Sequence, residues 1–188
     1  MSAEGVREIK SPLGALRLRP ERAEDDGFRF TLFCQSRPAE FALLSSNAAA
    51  YEQLMRVQFR AQTLSYRTNF PDARFDIIEL DGAPIGRIVV DRADGVIHLV
   101  DQALTPGLRN RGVGSAIMTA LLKEAATSGM PVRLMVASGN EAARRLYLRL
   151  GFVPVTTELH TIAMEWRAPA AGSQIQEIAD TSRDRGPA

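Results

Sequence analysis

One cysteine, Cys34, stands in 188 residues. A lone thiol closes no intrachain disulfide and builds no cysteine-based metal cluster, which fits a reducing compartment. No apolar run approaches the roughly 18 residues of a membrane span. The opening MSAEGVREIKSPLGALRLRP lacks the continuous apolar centre of a signal peptide. Charge of one sign is also missing: 23 Lys and Arg meet 22 Asp and Glu, a balance that argues against a general nucleic-acid binder. These absences, with no internal repeat, lead us to expect a cytoplasmic protein that engages neither nucleic acid nor membrane.

The remainder is ordinary globular material, 45% hydrophobic and 24% charged, enough for one domain with a sizeable core. Residues 1–14 mix charge with Pro12 and Gly14 without a useful period, so an N-terminal extension is expected there. The domain is expected over 15–167, and the polar, aromatic-free segment 168–188 reads as a flexible tail. A strand is predicted near Ala15 to Arg19 and a helix from Glu21 to about Ser36. Ala50, Leu54, Val57, Ala61 and Leu64 recur at intervals of three and four, which predicts an amphipathic helix from Asn47 to about Arg67 with Asn47 as its cap.

Three antiparallel strands should follow. Arg74 to Leu80 and Pro84 to Val90 are joined by Asp81-Gly82, a dipeptide suited to a tight hairpin, and Ala93-Asp94-Gly95 turns into a third strand from Val96 to about Leu104. Val113, Ile117, Leu121 and Ala125 then line a helix that ends at Gly129 and Pro131. Val132 to Val136 reads as a strand, so strand, helix and strand form a βαβ unit. A helix over Glu141 to Leu150 and two strands near Phe152 to Thr157 and Thr161 to Trp166 complete a mixed α/β domain.

The most informative segment is Arg109-Asn110-Arg111-Gly112-Val113-Gly114-Ser115. Amides at a helix start lack partners within the helix, and glycines let a diphosphate approach them. Neither common nucleotide loop fits. A dinucleotide fingerprint needs a third glycine where Ile117 stands, and no Gly-Lys-Ser or Gly-Lys-Thr follows for a Walker loop.

A second pattern runs from Asn140 through Ala143, Leu146 and Tyr147 to Gly151-Phe152. Together, R-x-x-G-x-G at Arg109 to Gly114 and N-x-x-A-x-x-L-Y-x-x-x-G-F at Asn140 to Phe152 resemble the GNAT N-acetyltransferase superfamily. The resemblance implies a mostly antiparallel mixed sheet with a splayed strand pair and flanking helices. It also implies acetyl-CoA as acyl donor without a metal, and an amine of a small molecule or peptide as acceptor. Arg109, Asn110, Arg111, Gly112, Val113, Gly114 and Ser115 would hold the diphosphate, while Ala103 and Leu104 would offer main-chain contacts to the pantetheine arm. Asn140 would contact the donor, and Tyr147 would protonate the departing thiolate as general acid. His98 is the favoured base, with Asp101 as an alternative if a bulge changes the strand's alternation, and ordered water as another. A non-catalytic acyl-CoA-binding module and a homodimer both remain open.

Overall fold

The computed structural model describes residues 6–37 and 47–169. Its strands are β1 (Arg7–Ser11), β2 (Gly14–Pro20), β3 (Arg74–Leu80), β4 (Ala83–Ala93), β5 (Val96–Leu104), β6 (Val132–Ala137), β7 (Val153–Thr157) and β8 (Thr161–Trp166). Its helices are α1 (Asp26–Gln35), α2 (Ala48–Asn69), α3 (Val113–Ser128) and α4 (Glu141–Arg149). The strands form one sheet in the order β1-β2-β3-β4-β5-β6-β8-β7. Only β5 and β6 run parallel, so the sheet is mixed and mostly antiparallel.

The hairpins follow their turn residues. Asp81 and Gly82 both take positive φ between β3 and β4, as do Asp94 and Gly95 between β4 and β5, the conformation that closes two-residue hairpins. The segment expected as an extension forms β1 in part: Arg7 to Ser11 pair with Gly14 to Leu18 of β2. The short, charged pattern hid an edge strand that needs only one neighbour and buries little. The expected tail lies outside the described residues from position 170 onward.

One sheet face carries the main core. Val113, Ile117, Met118, Leu121 and Ala125 of α3 pack with Ile88, Val90, Ile97 and Leu99 of the central strands, and Tyr147 and Phe152 join from the α4 end. Alternation along the strands presents Phe75, Ile77, Arg87 and Val89 to the opposite face. There α1 and α2 meet through Phe33, Met55 and Phe59, with Phe30 and Tyr51 beside them.

That pairing corrects the expected face of α2. Leu54, Val57 and Leu64 are 49%, 58% and 69% exposed, whereas Met55 and Phe59 are buried. Phe59 stacks at 5.7 Å from Phe30 and 5.6 Å from Phe33. The aliphatic stripe competed with a face of larger aromatic area, and the aromatic face docked.

An ion cluster ties β2 to the start of α1. Arg19 donates from Nη1 and Nη2 to Asp25 at 2.7 and 2.8 Å and from Nε to Glu79 at 2.6 Å. All three side chains are at most 12% exposed. Removing the cation strands two carboxylates, so Arg19→Met should lower unfolding free energy by about 3 kcal/mol in urea titrations. The Arg19 hydrogen bonds hold the Asp25 carboxyl below its usual range. Its stabilisation is therefore complete above the ordinary carboxylate range and lost as pH falls through the depressed folded value.

Candidate active site

The parallel pair β5–β6 touches only at Ile97–Leu99 against Val132–Leu134. Beyond these residues β5 continues to Leu104 and β6 to Ala137 without pairing, and the strands splay. A cleft of about 330 Å³ opens between them, lined by Asp101 and Ala103 of β5, Met135 and Ala137 of β6, and Asn140 and Tyr147 at α4. Its far wall includes Arg29 and Phe33 of α1, Tyr66 of α2 and Arg87 of β4.

A bulge sets which β5 side chains reach the cleft. Val89 pairs with Asp101 and Val90 with Leu99, so Val100 has no partner on β4. Past it, Gln102 and Leu104 turn toward α3, where a Cβ on Gly114 would lie 3.7 Å from Gln102 Nε2 and 3.8 Å from Leu104 Cδ1. Asp101 turns to the α1–α2 side. His98 and Leu104, which strict alternation over six residues would put on one face, therefore lie on opposite faces. The His98 ring sits 6.1 Å from Phe70 and is not among the residues lining the cleft; Asp101 occupies the position sequence alternation would have denied it.

Asp101 lies in a charged and aromatic setting. Arg87 Nη1 is 3.6 Å from its carboxylate. Burial pushes the Asp101 carboxyl above its usual range, and Arg87 opposes that shift. Tyr147 is 9% exposed and packs 5.5 Å from the Phe152 ring. Burial first, and the Asp101 charge second, push its phenol up to about 12. Tyr66 is pushed up to about 12 in the same way. Both phenols thus keep their protons at neutral pH.

The glycine loop sits at the start of α3. Asn110 and Gly112 have φ of 60° and 83°, and no side chain caps the helix or places an acid in its first turn. The first helical bond runs from Ala116 N to Gly112 O, so Val113, Gly114 and Ser115 offer amides without helix partners, which favours an anion. Arg109 is a brace in this structure: its Nε donates to Leu104 O at 3.0 Å and its Nη2 to Gln35 O at 2.9 Å. Among the described residues Asn110 and Arg111 side chains make no hydrogen bond or ion pair. Asn140 Oδ1 accepts from Ala143 N at 3.2 Å and so caps α4 while lining the cleft.

The turn between β1 and β2 buttresses this loop. A Cβ at Gly112 would lie 2.8 Å from Pro12 Cγ on a backbone already at positive φ. Gly112→Ala should therefore lower unfolding free energy by about 1 kcal/mol in urea titrations, because the loop must shift to escape both the contact and the strained φ.

The chain belongs to the acetyltransferase (GNAT) family, whose model matches residues 41–152. It is 29% identical over 161 residues to mycothiol acetyltransferase of Streptomyces avermitilis, covering 82% of this chain and 52% of that protein. Mycothiol acetyltransferase of Streptomyces coelicolor is 29% identical over 163 residues, with the same coverage. The chain thus spans about half the length of these curated relatives. Among solved structures, the PaiA N-acetyltransferase of Thermoplasma acidophilum in complex with coenzyme A shares the fold, with a TM-score of 0.62 at 19% identity over 81% of this chain and 99% of that one.

Arg87, Arg29 and Glu21 escaped the sequence reading as site residues. One signal was present: Arg87 interrupts the apolar run Ile85-Gly86-Arg87-Ile88-Val89-Val90, and a charge inside such a strand needs a buried reason.

Proposed function

We propose that the protein transfers an acetyl group from acetyl-CoA to the primary amine of a small molecule, by direct transfer in a ternary complex. The observation that carries this reading is the cleft at the β5–β6 splay, which gathers a carboxylate and a protonated phenol beside the free strand edge. The glycine loop suits the donor's diphosphate: its amides are unpartnered within the helix and no acidic side chain guards them. The edge of β5 at Ala103 and Leu104 that faces away from β4 would hold the pantetheine arm, with Asn140 beside it and Leu104 O already accepting from Arg109. Bound there, acetyl-CoA supplies an activated acyl group.

Asp101 is the proposed base. It accepts the proton that the amine nitrogen loses as the new C–N bond forms. Tyr147 is the proposed acid, donating its phenolic proton to the sulfur as the C–S bond breaks. The products are the amide and free CoA thiol. Cys34 lines no part of the cleft, so nothing supports an acetyl-cysteine intermediate. The polar, bounded cleft favours a small acceptor over a polypeptide, and the names of the Streptomyces relatives support the same choice.

The test is thiol release from acetyl-CoA with a panel of primary amines. Acceptor-dependent release supports transfer. Donor binding without release across the panel would leave only an acyl-CoA-binding module.

A further inference from the structure

We infer that the acceptor is an amino acid in the broad sense, a molecule bearing a carboxylate as well as the amine to be acetylated, and that Arg87 and Arg29 receive the carboxylate. The amine half of this inference rests on the acetyl-transfer reading above. The carboxylate half rests on the acceptor wall of the cleft.

Arg87 is 4% exposed at its side chain, yet it makes no hydrogen bond within the described residues. Its nearest oxygens are Glu21 Oε2 at 3.5 Å from Nε and Asp101 Oδ2 at 3.6 Å from Nη1. Both Nε and Nη2 are buried without a hydrogen-bond partner. The guanidinium is held by ring faces, 5.5 Å from the Phe75 centroid and 6.0 Å from Tyr66. A buried cationic donor left unbonded is costly, and an oxyanion is the group that best relieves it.

Arg29 shares this setting. Glu21 alone receives Arg29, Arg67 and Arg87. Arg67 and Asp26 are 52% and 62% exposed and their charges are spread into solvent, which leaves the buried guanidiniums of Arg29 and Arg87 facing Glu21 and the part-exposed Asp101. Arg29, only 9% exposed, also keeps a buried Nε without a partner. Arg87 and Arg29 both line the cleft. A carboxylate there would give these guanidinium nitrogens an acceptor. Arg87 pairs across the sheet with Ala103, so the anion would sit beside the strand edge proposed to hold the thioester.

Acceptors matched for shape and differing in one charge test this. Glycine, β-alanine and 4-aminobutyrate are compared with glycinamide, β-alaninamide and 4-aminobutyramide, using the full chain and acetyl-CoA. At least one acid should exceed its amide by about tenfold or more in kcat/KM, the worth of a charge-assisted bond. That ratio should collapse toward one in Arg87→Lys, which keeps charge but loses the planar fork, and should fall in Arg29→Gln. Because the ratio is internal to each variant, partial misfolding does not mimic the result.

Thermal melting of the CoA complex supplies a readout without turnover. The same acid should raise Tm where its amide does not. Equal kcat/KM for every pair, with no differential shift, would overturn the inference and leave acetyl transfer standing. A carboxylate-specific Tm shift with no turnover of any amine would support the carboxylate site and sink the transfer reading.

Discussion

Asp101→Asn should lower kcat for amine acetylation by about a thousandfold while leaving acetyl-CoA affinity within about twofold. Asparagine keeps the shape of the side chain and removes only its ability to take a proton. His98→Ala should change kcat less than about threefold, since His98 packs beside Phe70 rather than in the cleft. Rapid-mix thiol assays on the two variants decide between the bases: a silent Asp101→Asn with a crippled His98→Ala would reverse the assignment. The pH profile gives the sign independently. Burial raises the Asp101 carboxyl and Arg87 lowers it, so the rate should climb with pH as Asp101 ionises, along an acid limb displaced above the ordinary aspartate range. Arg87→Gln removes the opposing charge and should move that limb to still higher pH.

The displaced limb depends on one extra residue in β5. Hairpins, α3 and α4 were legible because each has a local cause: Asp-Gly turns, a glycine at a helix end, an apolar period. The two motif segments were legible for the same reason, being short and contiguous. The bulge at Val100 has no such local signature, and it moves Asp101 to the face that simple alternation assigns to His98. The far wall of the cleft was harder to read for a different reason. Glu21, Arg29 and Arg87 come from separate elements, and only the tertiary arrangement brings them together. The orientation of α2 failed by competition, because two periodic faces were present and partner aromatics on α1 selected Met55 and Phe59. Cooperative choices of this kind are made by the assembled core rather than by any single segment.

Tyr147→Phe should reduce kcat by about a hundredfold or more at saturating acetyl-CoA and acceptor. The ring is 9% exposed and rests against Phe152, so phenylalanine preserves the packing and the loss isolates the hydroxyl. A departing thiolate gains most from a donor already in place, and the elevated phenol pKa of about 12 keeps that donor protonated throughout the neutral range. The same elevation makes the tyrosine a weak acid, one that gives up its proton only as negative charge builds on sulfur. Transfer from donors with poorer leaving thiols should therefore suffer most in the variant, whereas acyl donors with electron-poor aryl thiols should recover much of the lost rate. Measuring kcat with acetyl-CoA and with an acetylated aryl thiol, in wild type and Tyr147→Phe, separates the two roles open to this residue. A deficit of equal size with both donors would mean that Tyr147 shapes the pocket and does not protonate the leaving group.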